Sequence, residues 1–137
     1  MGRRIATAAA MTLLVAAGGT TAVAATRNGV TPLSPKGTIA VGKQPTFKMR
    51  VSGPGAVYVH VCKSRKKDSE GVICTTESIG QARRKNGVFV YRPKLFTYPG
   101  FWMQTPGTYY WQAHRIQCEG DLDDCRQEGP IVRIRIR

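Results

Sequence analysis

The last six residues, Val132-Arg133-Ile134-Arg135-Ile136-Arg137, alternate apolar and charged side chains without a break. Successive side chains of an extended chain point to opposite faces, so Val132, Ile134 and Ile136 share one face and the three arginines the other. A helix would scatter both sets around its axis. The segment is therefore read as a strand with one buried face. The same period returns in Phe47-Lys48-Met49-Arg50-Val51, in Val57-Tyr58-Val59-His60-Val61-Cys62 and in Tyr109 to Ile116, and Gly87-Val88-Phe89-Val90-Tyr91 reads as a further strand that Pro93 ends or places at an edge. Turn residues separate these runs: Gly42-Lys43-Gln44-Pro45, Ser52-Gly53-Pro54-Gly55 and Pro106-Gly107. A short strand at Thr38 to Val41 follows a lead-in that contains Pro32 and Pro35. The pattern assigns Phe47, Met49, Val51, the three valines of 57 to 61, Tyr109, Trp111 and Ala113 to the core. It turns His60 and Cys62 outward. The polar run from Lys63 to Gly71 reads as a loop returning through Val72-Ile73-Cys74, and Thr97 to Trp102 reads as a packed aromatic corner.

The other end of the chain has a different grammar. Met1-Gly2-Arg3-Arg4 places two positive charges ahead of an apolar stretch from Ile5 to Ala17, and Ala22-Val23-Ala24-Ala25 supplies small residues before a cleavage point. Residues 1 to 25 are thus expected to be a secretory signal peptide, and residues 26 to 137 one exported domain. No transmembrane segment is expected after cleavage, because the apolar core is shorter than the roughly 20 residues a span needs. All four cysteines, Cys62, Cys74, Cys118 and Cys125, fall in the exported part. Their gaps of eleven and six residues do not suit a zinc site, so disulfides are expected and no metal. Nearest-neighbour pairing, Cys62 with Cys74 and Cys118 with Cys125, closes one loop each.

Six or seven short strands at this spacing predict an all-β antiparallel sandwich of about seven strands with two disulfides. Pro106-Gly107-Thr108-Tyr109-Tyr110-Trp111 resembles the Pro-Gly-Thr-x-Tyr-x-Trp run that opens the sixth strand of many bacterial fibronectin type III domains, one residue shorter before the tyrosines. The closing strand, Gly129-Pro130 to Arg137, is loosely similar. The resemblance implies an immunoglobulin-like fold, and it implies that Tyr109 bonds back to nearby backbone at this corner.

Chemistry is sparse. His60 and His114 are the only histidines and have no nucleophile motif beside them, so no enzyme activity and no cofactor is expected. Glu119 to Asp124 reads as a solvated acidic loop between Cys118 and Cys125. The formal net charge of +13 points to an anionic partner. Two basic runs in connecting segments carry that expectation: Lys63, Arg65, Lys66 and Lys67 in the first, Arg83, Arg84 and Lys85 in the second. Neither contains an aromatic side chain, which argues against sequence-specific nucleic-acid reading. The expected protein is a secreted, monomeric, noncatalytic binding or adhesion module for an anionic extracellular polymer or cell-envelope surface. A secreted carrier or inhibitor, holding a small molecule or a protease loop, is the alternative. An apolar cleft floored by Trp102 or Trp111 would favour it.

Overall fold

A computed structural model describes residues 25–65, 77–117 and 125–137. The predicted signal, the Val72–Cys74 strand, the acidic loop, Lys66, Lys67, Cys74 and Cys118 lie outside the described residues. No helix among the described residues is long and apolar enough to cross a membrane.

Eight strands follow in chain order: β1 (Val30–Ser34), β2 (Gly37–Ile39), β3 (Phe47–Val51), β4 (Ala56–Cys62), β5 (Ser78–Lys85), β6 (Val88–Tyr91), β7 (Gly107–Ile116) and β8 (Arg126–Ile136). A single 3-10 turn, Trp102–Gln104, precedes β7. All eight strands belong to one sheet in the order β1-β3-β6-β5-β4-β7-β8-β2. Every pairing is antiparallel except β2 with β8, which is parallel.

This corrects the expected sandwich of two antiparallel sheets: the molecule is one mixed sheet curled into a half-barrel. The strand responsible is β5, absent from the sequence reading. Val57, Val59 and Val61 of β4 pair with Ala82, Gly80 and Ser78, while Arg83, Arg84 and Lys85 pair with Val90, Phe89 and Val88 of β6. One strand thus serves both halves, and no gap separates them. Gly80 gives room at the point of change, since a Cβ there would run into the Tyr91 ring. The Tyr91 hydroxyl in turn shares a hydrogen bond with Ser78 Oγ at 3.1 Å.

Chain connectivity dictates the curl. Strands β1 and β2 are the two edges of the sheet, yet only Pro35 and Lys36 lie between them. Three virtual bonds span at most about 11 Å. Seven strand spacings in a flat sheet would separate the edges by roughly 34 Å. The sheet must therefore bend until its edges nearly meet. They do: Asn28 Nδ2 donates to the Glu128 carbonyl at 2.9 Å, and a Cβ on Gly129 of β8 would lie 2.6 Å from Val30 Cγ1. Pro32 is tolerated in β1 because an edge strand has a ladder on one side only.

The inner face of the curl holds the core. Phe47, Met49, Val57, Val59, Val61, Tyr109, Trp111, Ile134 and Ile136 are all buried there, as their alternation requires. Phe47 meets Trp111 edge-on at 5.1 Å, and Trp102 from the 3-10 turn lies 5.6 Å from Tyr109. Trp111 Nε1 donates to the Pro35 carbonyl at 3.0 Å, which ties the short crossing between the edges to the centre. The Tyr109 hydroxyl donates to the Thr105 carbonyl at 2.9 Å, closing the corner before β7.

A further expectation is corrected: His60 and Cys62, expected to point outward, are both buried, and so is His114. The two imidazole rings meet edge-on with centroids 4.5 Å apart. Cys62 and Cys125 are both disulfide-bonded, and the partners expected for them, Cys74 and Cys118, lie outside the described residues. Cys62 and Cys125 cannot join each other, because Cys62 lies opposite Tyr110 and Cys125 just beyond the Arg126–Ile116 pair. Six residues of strand separate those points, roughly 20 Å, against the 7 Å limit for bridged Cα atoms.

Candidate anion-binding face

Core burial on one side of β3 leaves Lys48 and Arg50 on the other, both exposed. Register decides what stands beside them. Lys48 lies opposite Val90 of β6, and Val90 opposite Arg83 of β5, so the three form one row across three strands. With strands about 4.8 Å apart, the two cations flank the valine at a backbone separation near 10 Å. Lys85 stands opposite Val88 in a second row, and Arg50 opposite Thr31 of β1 in a third. Directly opposed residues share a face, which places Lys48, Arg50, Arg83 and Lys85 together on the outer surface of β1-β3-β6-β5.

A groove of about 430 Å³ runs along this surface. Leu33, Val88 and Val90 give it an apolar floor, and Lys48, Lys85 and Arg92 stand over it with Thr46 and Asn86. The turn that carries Asn86 is built for the purpose. Asn86 and Gly87 have φ values of 51° and 77°, the left-handed pair that lets two residues reverse a hairpin. Lys85 is thereby held beside the first residue of β6 and next to the groove.

Among the described residues no carboxylate offsets these charges. Glu77 and Glu128 are the acidic side chains among those residues. Glu77 sits at the far end of β5 with Lys63 Nζ 3.6 Å from its carboxylate, and Glu128 belongs to β8.

Of the first basic run, Lys63 and Arg65 are described and stand apart from the second; Lys66 and Lys67 lie outside the described residues. Lys63 and Arg65 follow the end of β4, where Lys63 is spent on Glu77 and the Arg65 guanidinium lies 5.9 Å from the Tyr110 ring centroid. The second run is strand, not loop, and begins five residues along β5 from Ser78, roughly 17 Å away. Alternation also splits it: Arg83 and Lys85 stand on the outer face, where Lys85 lines the groove, while Arg84, opposite Phe89, faces the other side. Lys48, Arg50 and Arg92 were missed. The alternation of β3 announced the first two as outward charges, but nothing in the sequence announced that β6 and β5 would line up beside them.

Trp102 and Trp111 are fully buried and floor no open cleft. Burial raises the pKa of Tyr109 above the ordinary tyrosine value, Glu77 adds to the rise, and the hydrogen bond to Thr105 works against it. Among the described residues no group of three His, Cys, Asp or Glu side chains could hold a metal ion. No protein-family model matches the chain, and no curated protein is significantly similar to it.

Proposed function

We propose that the chain is a noncatalytic binding module that holds an anionic polymer against the outer face of β1-β3-β6-β5. The observation that carries this reading is the row Lys48–Val90–Arg83 with Lys85, Arg50 and Arg92 around it, with no carboxylate beside them among the described residues. Cations on rigid strands bind a polymer differently from cations on loops: the charges are fixed in place before the ligand arrives, so less ordering entropy opposes binding. The valine floor gives the backbone of the polymer an apolar surface to lie on. The signal-like residues 1 to 25 support a setting outside the cytoplasm, where the polymer would be a cell-envelope or extracellular polyanion.

A homopolymeric single-stranded oligonucleotide is a defined polyphosphate with which to test this. Its affinity for the full chain should fall with salt at a slope near −0.7 per phosphate contact. Replacing Lys48→Glu and Arg83→Glu together should weaken binding and flatten that slope by about 1.4, whereas Arg133→Glu with Arg135→Glu on β8 should leave most of it. Equal slopes for wild type and the first variant would remove the face from the reading.

A further inference from the structure

The segment between β6 and the 3-10 turn shows water something a soluble domain usually hides. Phe96 is 40% exposed and Tyr98 56%, and with Phe101 they form an aromatic triad whose ring centroids lie 5.1 to 5.7 Å apart. Phe101 itself is buried and belongs to the core, so the exposed pair is mounted on a fixed base. The mount is braced further. Gln104 Nε2 donates to the Phe96 carbonyl at 3.2 Å, the Phe101 amide donates to the Tyr98 carbonyl at 3.3 Å, and Gln44 Nε2 donates to the Pro93 carbonyl at 2.6 Å. Val41, also 40% exposed, joins the same surface, since the amide of the next residue, Gly42, donates to the Met103 carbonyl at 2.8 Å beside the Gln104 side chain. Three of the four exposed large apolar side chains among the described residues thus belong to two segments tied to each other by these hydrogen bonds; the fourth, Ile79, lies on β5. Single exposed apolar residues need no explanation, but a braced cluster does.

Its surroundings are cationic. Lys94 Nζ lies 5.2 Å from the Phe96 ring centroid, Lys43 is exposed two residues from Val41, and no acidic residue occurs in residues 25–65 or 78–117. Aromatic side chains that settle at a headgroup boundary, flanked by lysines whose ammonium groups reach anionic headgroups, are the combination a negatively charged bilayer surface selects.

We propose that Val41, Phe96 and Tyr98 form a docking tip for an anionic lipid bilayer, with Lys43 and Lys94 contacting its headgroups. The apolar side chains enter the interface, the lysines hold it, and the strands stay in water. The tip is separate from the polymer-binding face and does not depend on it.

Sedimentation of the full chain with vesicles tests this directly. The wild type should pellet with phosphatidylglycerol–phosphatidylcholine vesicles and stay in solution with phosphatidylcholine alone. Phe96→Ser with Tyr98→Ser should lower partitioning roughly tenfold or more, given the apolar area withdrawn. Lys43→Gln and Lys94→Gln should each cost about fivefold. Both side chains of the aromatic pair are exposed, so the serine variant should keep the wild-type melting midpoint and its affinity for the oligonucleotide. The proposal is overturned if the wild type ignores anionic vesicles, if the serine variant pellets as well as the wild type, or if that variant loses the oligonucleotide as well. Binding of the wild type to a neutral polysaccharide and not to vesicles would overturn it too, assigning the aromatic pair to sugar stacking.

Discussion

Tyr109 joins three features of the fold in one side chain: it is buried against Trp102, its hydroxyl closes the corner at Thr105, and its backbone lies opposite Ile134 in the β7–β8 ladder. A phenol in that position is held neutral, because ionising it would place a charge where water cannot reach. Its pKa in the folded protein stands above the value of about 10 it has in the unfolded chain. Between the two values the folded state keeps a proton that the unfolded state has lost, so stability falls as pH rises past about 10 and is unaffected by this group below that. Tyr109→Phe should cost about 1 kcal/mol at neutral pH through the lost hydrogen bond. It should also remove part of the alkaline decline, so the stability difference between wild type and variant should shrink above pH 10. Denaturant melts at pH 8 and at pH 10.5 would measure it, and a difference that grows with pH would contradict this account.

At the scale of the element, β5 decides whether there are two sheets or one. Its ability to change partners rests on Gly80, where the Tyr91 ring occupies the space a side chain would need. Gly80→Ala should force the ring aside, break its hydrogen bond with Ser78 and destabilise the fold by about 1 to 3 kcal/mol. The same change in a Tyr91→Leu background should cost less, and a double-mutant cycle by denaturant melts would measure that coupling. Additive costs would mean that the ring and the glycine are independent. This strand also marks the limit of what the sequence could tell. Strand β3 and the end of β8 were legible because one face of each is apolar and the other charged, and β4, β6 and β7 because they are largely apolar runs set between turn residues. Ser-Ile-Gly-Gln-Ala-Arg-Arg-Lys has no such contrast: Ala82 is its one buried side chain, and its extended form is imposed by neighbours on both sides. Missing it turned Arg83 and Lys85 into loop residues and hid the groove. His60 and His114 mislead for the opposite reason, since β4 from Val59 to Cys62 and β7 from Trp111 to His114 are buried on both faces and alternation then says nothing about exposure.

Over the whole molecule, charge is the term that folding leaves uncompensated. A formal net charge of +13 repels itself in the compact state, over a range of about 30 Å at 10 mM salt and about 8 Å at 150 mM. Adding sodium chloride to the protein alone should therefore raise its melting midpoint, most steeply at low concentration. A bound polyanion changes the sign of that dependence. Bound to the folded state at 100 times its dissociation constant, it adds about 2.7 kcal/mol of stability, and it does so most strongly where salt is scarce. The midpoint of the complex should start above that of the free protein, fall as salt releases the ligand, and meet the rising curve of the free protein at high salt. The Lys48→Glu, Arg83→Glu variant should shift both curves: alone, it should melt higher than wild type at low salt because four units of positive charge are gone, and the polyanion should lift it less. Thermal melts over a salt series, with and without the oligonucleotide, give all four curves. If salt lowers the midpoint of the free protein, the uncompensated charge is held by favourable contacts inside the fold and is not available to a ligand, and the anion-binding face loses its physical basis.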